Sequence, residues 1–165
     1  MGNTHISVLL AEAVNALQVK ENNWYIDATF GRGGHTQGGK VIAFDVDQEA
    51  IAYGKEAFAD EIKKQTLILI RANFEKIKSE AENMEIHGVL FDFGVSSPQL
   101  ESHERGFSFQ FDADLDMRMD DRLGVKAKDL LVVLSEKQLA EIFFRYGGEE
   151  NSRKIAKAIV LARQS

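Results

Sequence analysis

The 165-residue chain contains no cysteine. That absence excludes a disulfide scaffold, a thiolate metal centre and a cysteine nucleophile together, and it suits a reducing compartment. No apolar stretch approaches the roughly 20 residues needed to span a bilayer. The N-terminus lacks a positively charged segment followed by an apolar run, so no secretory signal is expected. Repeats and low-complexity segments are absent. Positive charge is scarce: 20 Lys and Arg stand against 26 Asp and Glu, a net charge of -6. This argues against non-specific nucleic-acid binding, which relies on dense basic patches. What remains is a 44% hydrophobic chain, enough for a real core in one domain or one domain plus part of another. The expectation is a soluble, cytoplasmic protein.

Hydrophobic patterning predicts a helix capped by Ser7 and carrying Leu10, Val14 and Leu17 on one face. Short apolar strands are expected at 24–30, 40–45, 66–71 and 86–93. Asp47 and Asn73 open helices between them. Apolar strands alternating with helices indicate a parallel sheet covered on both faces. After Pro98, the single proline, residues 101–128 read as polar loop. Glu101 to Asp121 holds seven acidic residues against two arginines. Two helices follow. One opens on a Ser135–Gln138 capping box, with Leu139, Ile142, Phe143 and Tyr146 inward. The other is capped by Asn151, with Ile155, Ala158, Ile159 and Ala162 inward. A boundary is placed between 104 and 105.

Three segments carry ligand chemistry. Asp27-Ala28-Thr29-Phe30-Gly31-Arg32-Gly33-Gly34-His35 sits where the first strand ends, the usual ligand position of open α/β sheets. Its glycines let the backbone approach a ligand. Thr36 stands where the dinucleotide fingerprint needs glycine, which disfavours a pyrophosphate and an NAD-type oxidoreductase. A nucleoside with an amino-acid arm fits better, and a plain strand-to-loop turn is the alternative. Asp45, ending the second strand, can accept hydrogen bonds from ribose hydroxyls; the cap role there is filled by Asp47. Asp92-Phe93-Gly94-Val95-Ser96-Ser97-Pro98-Gln99-Leu100 follows the fourth strand and, taken alone, reads as a turn-rich loop.

In this order on an α/β pattern, the three segments resemble the MraW/RsmH family of ribosomal RNA cytosine-N4 methyltransferases. The resemblance extends to His5–Leu10, with Ser7 in place of a proline, and to Asn73-Phe74. It continues through Arg105-Gly106-Phe107-Ser108-Phe109, Leu115-Asp116-Met117-Arg118-Met119-Asp120 and the helix pair from Tyr146 to Arg163. It implies a Rossmann-like S-adenosylmethionine-dependent methyltransferase sheet, incomplete here, with the start of an inserted helical domain. Gly33, Gly34 and His35 would contact the methionine end of the cofactor. Asp45 would hold the ribose and Phe74 would lie against the adenine. Asp92 and Gln99 would complete the pocket, with Asp92 the catalytic candidate beside the target amine. The partner implied is small-subunit ribosomal RNA. No metal is expected, and no ligand cluster is visible.

Two departures bear on activity. The interval from Gly31 to Gly39 is only nine residues, whereas a parallel crossover needs a dozen or more, usually with a helix. A helix usual in the family is missing between Gln37 and Gly38, and a chain break is expected there. The chain also ends inside the helical insertion, before the family's sheet resumes. The competing reading is therefore a non-catalytic fragment or binding module that retains part of the cofactor pocket.

Overall fold

The computed structural model describes residues 10–34 and 38–163. Four strands form one parallel sheet: β1 (Trp24–Asp27), β2 (Lys40–Asp45), β3 (Leu67–Arg71) and β4 (Ile86–Leu90). Their order is β3-β2-β1-β4. The sheet grows outward from β1 in one direction and then reverses to place β4 on its other side. A topological switch point therefore lies between β1 and β4, the position where open sheets leave a crevice at their carboxyl ends. Ile26, Ile42 and Phe44 form the core on one face with Ala28 and Ala81; Phe30, Val41, Ala43 and Leu67 form it on the other. Apolar residues facing both ways along β2 are what a sheet covered on both sides requires.

The helices follow local chemistry. α1 (Leu10–Leu17) packs on β4, and Gly88 is the residue that lets Leu17 approach: a Cβ there would lie 2.8 Å from the Leu17 side chain. The Ser7 cap falls outside the described residues. α2 (Gln48–Ala57) begins at Asp47, whose carboxylate accepts the Glu49 N–H. It buries Ile51, while Ala52 is exposed. α3 (Ala59–Lys63) follows directly. Asn73 accepts the Glu75 N–H to open a 3-10 turn (Phe74–Lys76), which leads into α4 (Ile77–Glu80). β1 is shorter than expected, because Phe30 leaves the ladder through the loop. β4 likewise stops at Leu90. Parallel pairing of β1 and β2 excludes a hairpin, yet Ala28 to Gly39 contains no helix among its described residues. The expected break between Gln37 and Gly38 falls on Gln37, outside those residues.

The chain divides into two compact units. One runs to Ser97 and takes in Met119–Asp121; the other comprises Pro98–Arg118 and continues from Arg122. In the second, α5 (Ser97–Glu101) is followed by loop and then α6 (Ala127–Val133), an element absent from the sequence reading. α7 (Glu136–Gly147) carries the expected capping box, and Gly148 adopts a left-handed φ of 63° at its end. α8 (Ser152–Ala162) packs against α7. The inward face of this pair agrees with expectation in part. Leu139 is buried and Ile142, Phe143 and Ile159 are half-buried, whereas Tyr146 is 82% exposed and Ile155, Ala158 and Ala162 are exposed. Ser152 and Ala156 are buried as well. No helix among the described residues is long and apolar enough to cross a membrane.

Candidate active site

The first strand delivers its chain to the carboxyl edge through a loop pinned at several points. The Ala28 N–H donates to Leu90 O and the Phe30 N–H to Phe44 O, so the loop leaves in register with both neighbouring strands. Gly31 and Gly33 have φ of 54° and 72°, in the left-handed region that costs other residues roughly 1–2 kcal/mol. Gly33 is also buried: a Cβ would sit 2.7 Å from the Phe58 ring and 2.8 Å from Phe30. Phe30 and Phe58 meet edge to face at 5.9 Å. The glycine requirement at 33 thus comes from aromatic packing beneath the loop as well as from its turn. Gly34 is partly exposed beside it, and His35 lies outside the described residues.

Asp45 is half-buried at the end of β2. Its two oxygens accept backbone N–H groups from Gly31 (2.8 Å) and Asp47 (2.8 Å). Burial pushes its carboxyl above the ordinary 3.8, against the lowering effect of those hydrogen bonds. Each carboxylate oxygen has a second lone pair, so the group retains acceptor capacity. Asp92, past the end of β4, is exposed, and its N–H donates to the Thr29 hydroxyl at 2.8 Å. The Thr29 N–H in turn donates to the buried Asp27 carboxylate at 3.1 Å. The Asp45 carboxylate at Gly31 and the Asp92 backbone at Thr29 are therefore both tied to the same loop. The sequence reading missed Thr29 and Asp27, since a threonine two residues after an aspartate is an ordinary turn pattern.

Phe74 is 40% exposed and so is not a core residue. Its ring meets Phe91 and Phe93 edge-on at 5.7 and 5.8 Å, an apolar group at the ends of β3 and β4. Gln99 is buried in the second unit. The Leu115–Asp120 segment has an internal role. Asp116 grips the Arg118 guanidinium through Nε (2.6 Å) and a terminal nitrogen (2.8 Å), and Lys126 reaches it at 2.9 Å. The Arg118 contact holds the Asp116 carboxyl well below the usual range. Among the described residues, no group of His, Asp and Glu is placed to hold a metal.

A profile of the MraW methylase family matches residues 2–165. The chain belongs to the MraW methylase family. It is 43% identical over 168 residues to the ribosomal RNA small subunit methyltransferase H of Xylella fastidiosa strains M23 and Temecula1, covering 97% of this chain and 53% of each relative. This MraW-family chain thus spans about half the length of those relatives. The aligned stretch exceeds the chain's own 165 residues, so they carry residues that it lacks. A crystal structure of an rRNA methylase from Streptococcus thermophilus superposes with a TM-score of 0.46 at 21% identity, over 55% of this chain and 58% of that one.

Proposed function

We propose that this chain forms the cofactor-binding part of a cytoplasmic S-adenosylmethionine-dependent enzyme that methylates the N4 amine of a cytidine in small-subunit ribosomal RNA. The observation that carries this reading is the glycine loop of an MraW-family sheet, bonded at Gly31 by the Asp45 carboxylate and at Thr29 by the Asp92 backbone beside the switch point. Gly33 and Gly34, with His35, would hold the methionine end. Asp45 would take the ribose hydroxyls and Phe74 the adenine face. The cofactor supplies a methyl carbon on a sulfonium, a good leaving group. The acceptor nitrogen is a poor nucleophile, because its lone pair is delocalised into the ring. The protein's contribution is therefore mainly positioning and water exclusion, together worth up to roughly 7–11 kcal/mol at ideal alignment. The nitrogen that receives the methyl group would gain positive charge and then pass a proton to solvent. Asp92, accepting a hydrogen bond from that amine, would favour the developing charge. The base must be splayed out of the RNA to be reached, and the basic face of α8 (Arg153, Lys154, Lys157) is a candidate phosphate contact, whereas Arg163, past its end, donates to Leu131 O and Leu134 O.

The second reading, a binding module without turnover, is favoured by the β1–β2 connection, which contains no helix among its described residues. Titration with S-adenosylmethionine, S-adenosylhomocysteine and NAD tests the cofactor class, and NAD is expected not to bind. Methyl transfer to small ribosomal subunits separates enzyme from module. In an active preparation, Asp92→Ala is expected to reduce turnover more than cofactor affinity. Equal losses in both would make Asp92 a cofactor ligand only.

A further inference from the structure

Arg32 is unassigned by the reading above, although it lies in the middle of the glycine loop. The backbone on both sides of it is fixed. Ahead of it, the Gly31 N–H is held by the Asp45 carboxylate at 2.8 Å. Behind it, the Gly33 N–H donates to Phe30 O at 2.7 Å, and Gly33 is wedged against the Phe30 and Phe58 rings. The side chain is fixed too. Its guanidinium carbon lies 4.3 Å from the centroid of the Tyr53 ring, which α2 presents at the same edge of the sheet. No acidic side chain pairs with Arg32 among the described residues. Asp45 faces the loop, but its oxygens are engaged by Gly31 and Asp47. Arg71, at the end of β3, is by contrast fully engaged with Val46 O, Gln48 and Asp121.

A guanidinium centred over an aromatic ring is attracted to it without spending its N–H donors. The contact therefore restrains the cation and leaves its hydrogen bonds for a ligand. A chain of net charge -6 that holds an arginine this way has built a fork for a planar or tetrahedral oxyanion. We propose that Arg32, oriented by Tyr53, is an oxyanion-binding residue of this edge. Its ligand is either the carboxylate of the cofactor's amino-acid arm or a phosphodiester of the RNA. The inference rests on reading this edge as the cofactor site, and its test separates the two.

The full chain and its Arg32→Ala, Arg32→Lys, Tyr53→Phe and Tyr53→Leu variants are titrated with three probes. These are S-adenosylmethionine, 5′-methylthioadenosine, which lacks the carboxylate, and a cytidine-containing single-stranded RNA at two salt concentrations. Circular dichroism verifies folding. If the anion is the carboxylate, Arg32→Ala weakens S-adenosylmethionine by about tenfold or more and leaves methylthioadenosine unchanged. If it is a phosphodiester, both nucleosides bind as before and the salt slope for RNA falls by about one. Either result supports the proposal, provided Tyr53→Leu shares the loss and Tyr53→Phe restores it. Unchanged binding of all three probes by Arg32→Ala overturns it. Should the parent chain bind none of the probes, the cofactor reading fails, and inorganic phosphate then decides the matter for Arg32 alone. A saturable shift of the Arg32 Nε–H resonance, lost in Tyr53→Leu, supports the fork; no shift overturns it.

Discussion

At Asp45, burial and hydrogen bonding pull in opposite directions. Burial is the larger effect, so the folded carboxyl titrates above its ordinary value. A raised acid is protonated more readily in the folded chain than in the unfolded one. Acidification through that window therefore favours the folded state at this residue. The same proton removes the acceptor that ribose hydroxyls need. Cofactor affinity, measured by titration at a series of pH values, is accordingly expected to fall on acidification while the chain is still folded. Loss of affinity only alongside unfolding would refute the assignment. Asp45→Ala is expected to weaken S-adenosylmethionine by at least tenfold, since a hydrogen bond to a charged acceptor contributes about 1.5–3 kcal/mol. Gly33 tests the loop independently. Gly33→Ala meets both the Phe58 ring and a φ of 72°, so a loss of at least 1–2 kcal/mol is expected, read as a lowered melting temperature. A neutral result would mean the loop repacks freely.

At the scale of elements, the connection from β1 to β2 is the anomaly. Parallel neighbours are normally joined through a helix, whereas this link contains only turns among its described residues. The Xylella relatives carry residues that this chain lacks, and we propose that some of them lie in this link. Inserting a helical segment of about ten residues between Gln37 and Gly38 would give the link the helix that a crossover usually contains. Such an insertion is expected to tighten S-adenosylmethionine binding. Weaker binding would indicate that the short loop is the native form of the site. The missed helix, α6, has a simpler explanation. Its N-terminus is held by Asp129 accepting the Lys126 N–H at 2.9 Å, a cap supplied from inside the helix, with no Ser, Thr, Asp or Asn at its entry to announce it.

Over the whole molecule, charge is distributed differently from the way the sequence orders it. Glu101 to Asp121 reads as a dense acidic stretch, yet folding brings cations to it from elsewhere. Lys126 and Lys128 reach Asp116 and Asp114, and Arg71 reaches Asp121 from the end of β3. Asp116 is the most deeply engaged. Its folded carboxyl lies below its unfolded value, so its contribution is complete above the ordinary carboxylate range and fades as pH falls toward the folded value. Asp116→Asn is expected to unfold more readily at neutral pH, with the difference from the parent chain shrinking as pH drops below about 4. Urea unfolding at pH 7 and pH 3 checks this. A difference that persists undiminished at pH 3 would show that geometry, not charge, makes the contact.

The amino-acid sequence by itself determined the strand and helix order, the caps at Asp47, Asn73 and Ser135, and the placement of ligand-type residues after strands. These depend on short-range periodicity and on side chains bonding to backbone two or three residues away. Only the tertiary structure decided which of them share a loop. Strand order puts β4 beside β1, so Asp92 meets Thr29 across 63 residues and Asp45 meets Gly31 across 14. Such pairings are set by sheet topology, which local pattern does not encode. The inward face of α7 and α8 was likewise decided in part in three dimensions. Ser152 and Ala156 are buried, whereas Tyr146 and Ile155, which periodicity alone would turn inward, are exposed.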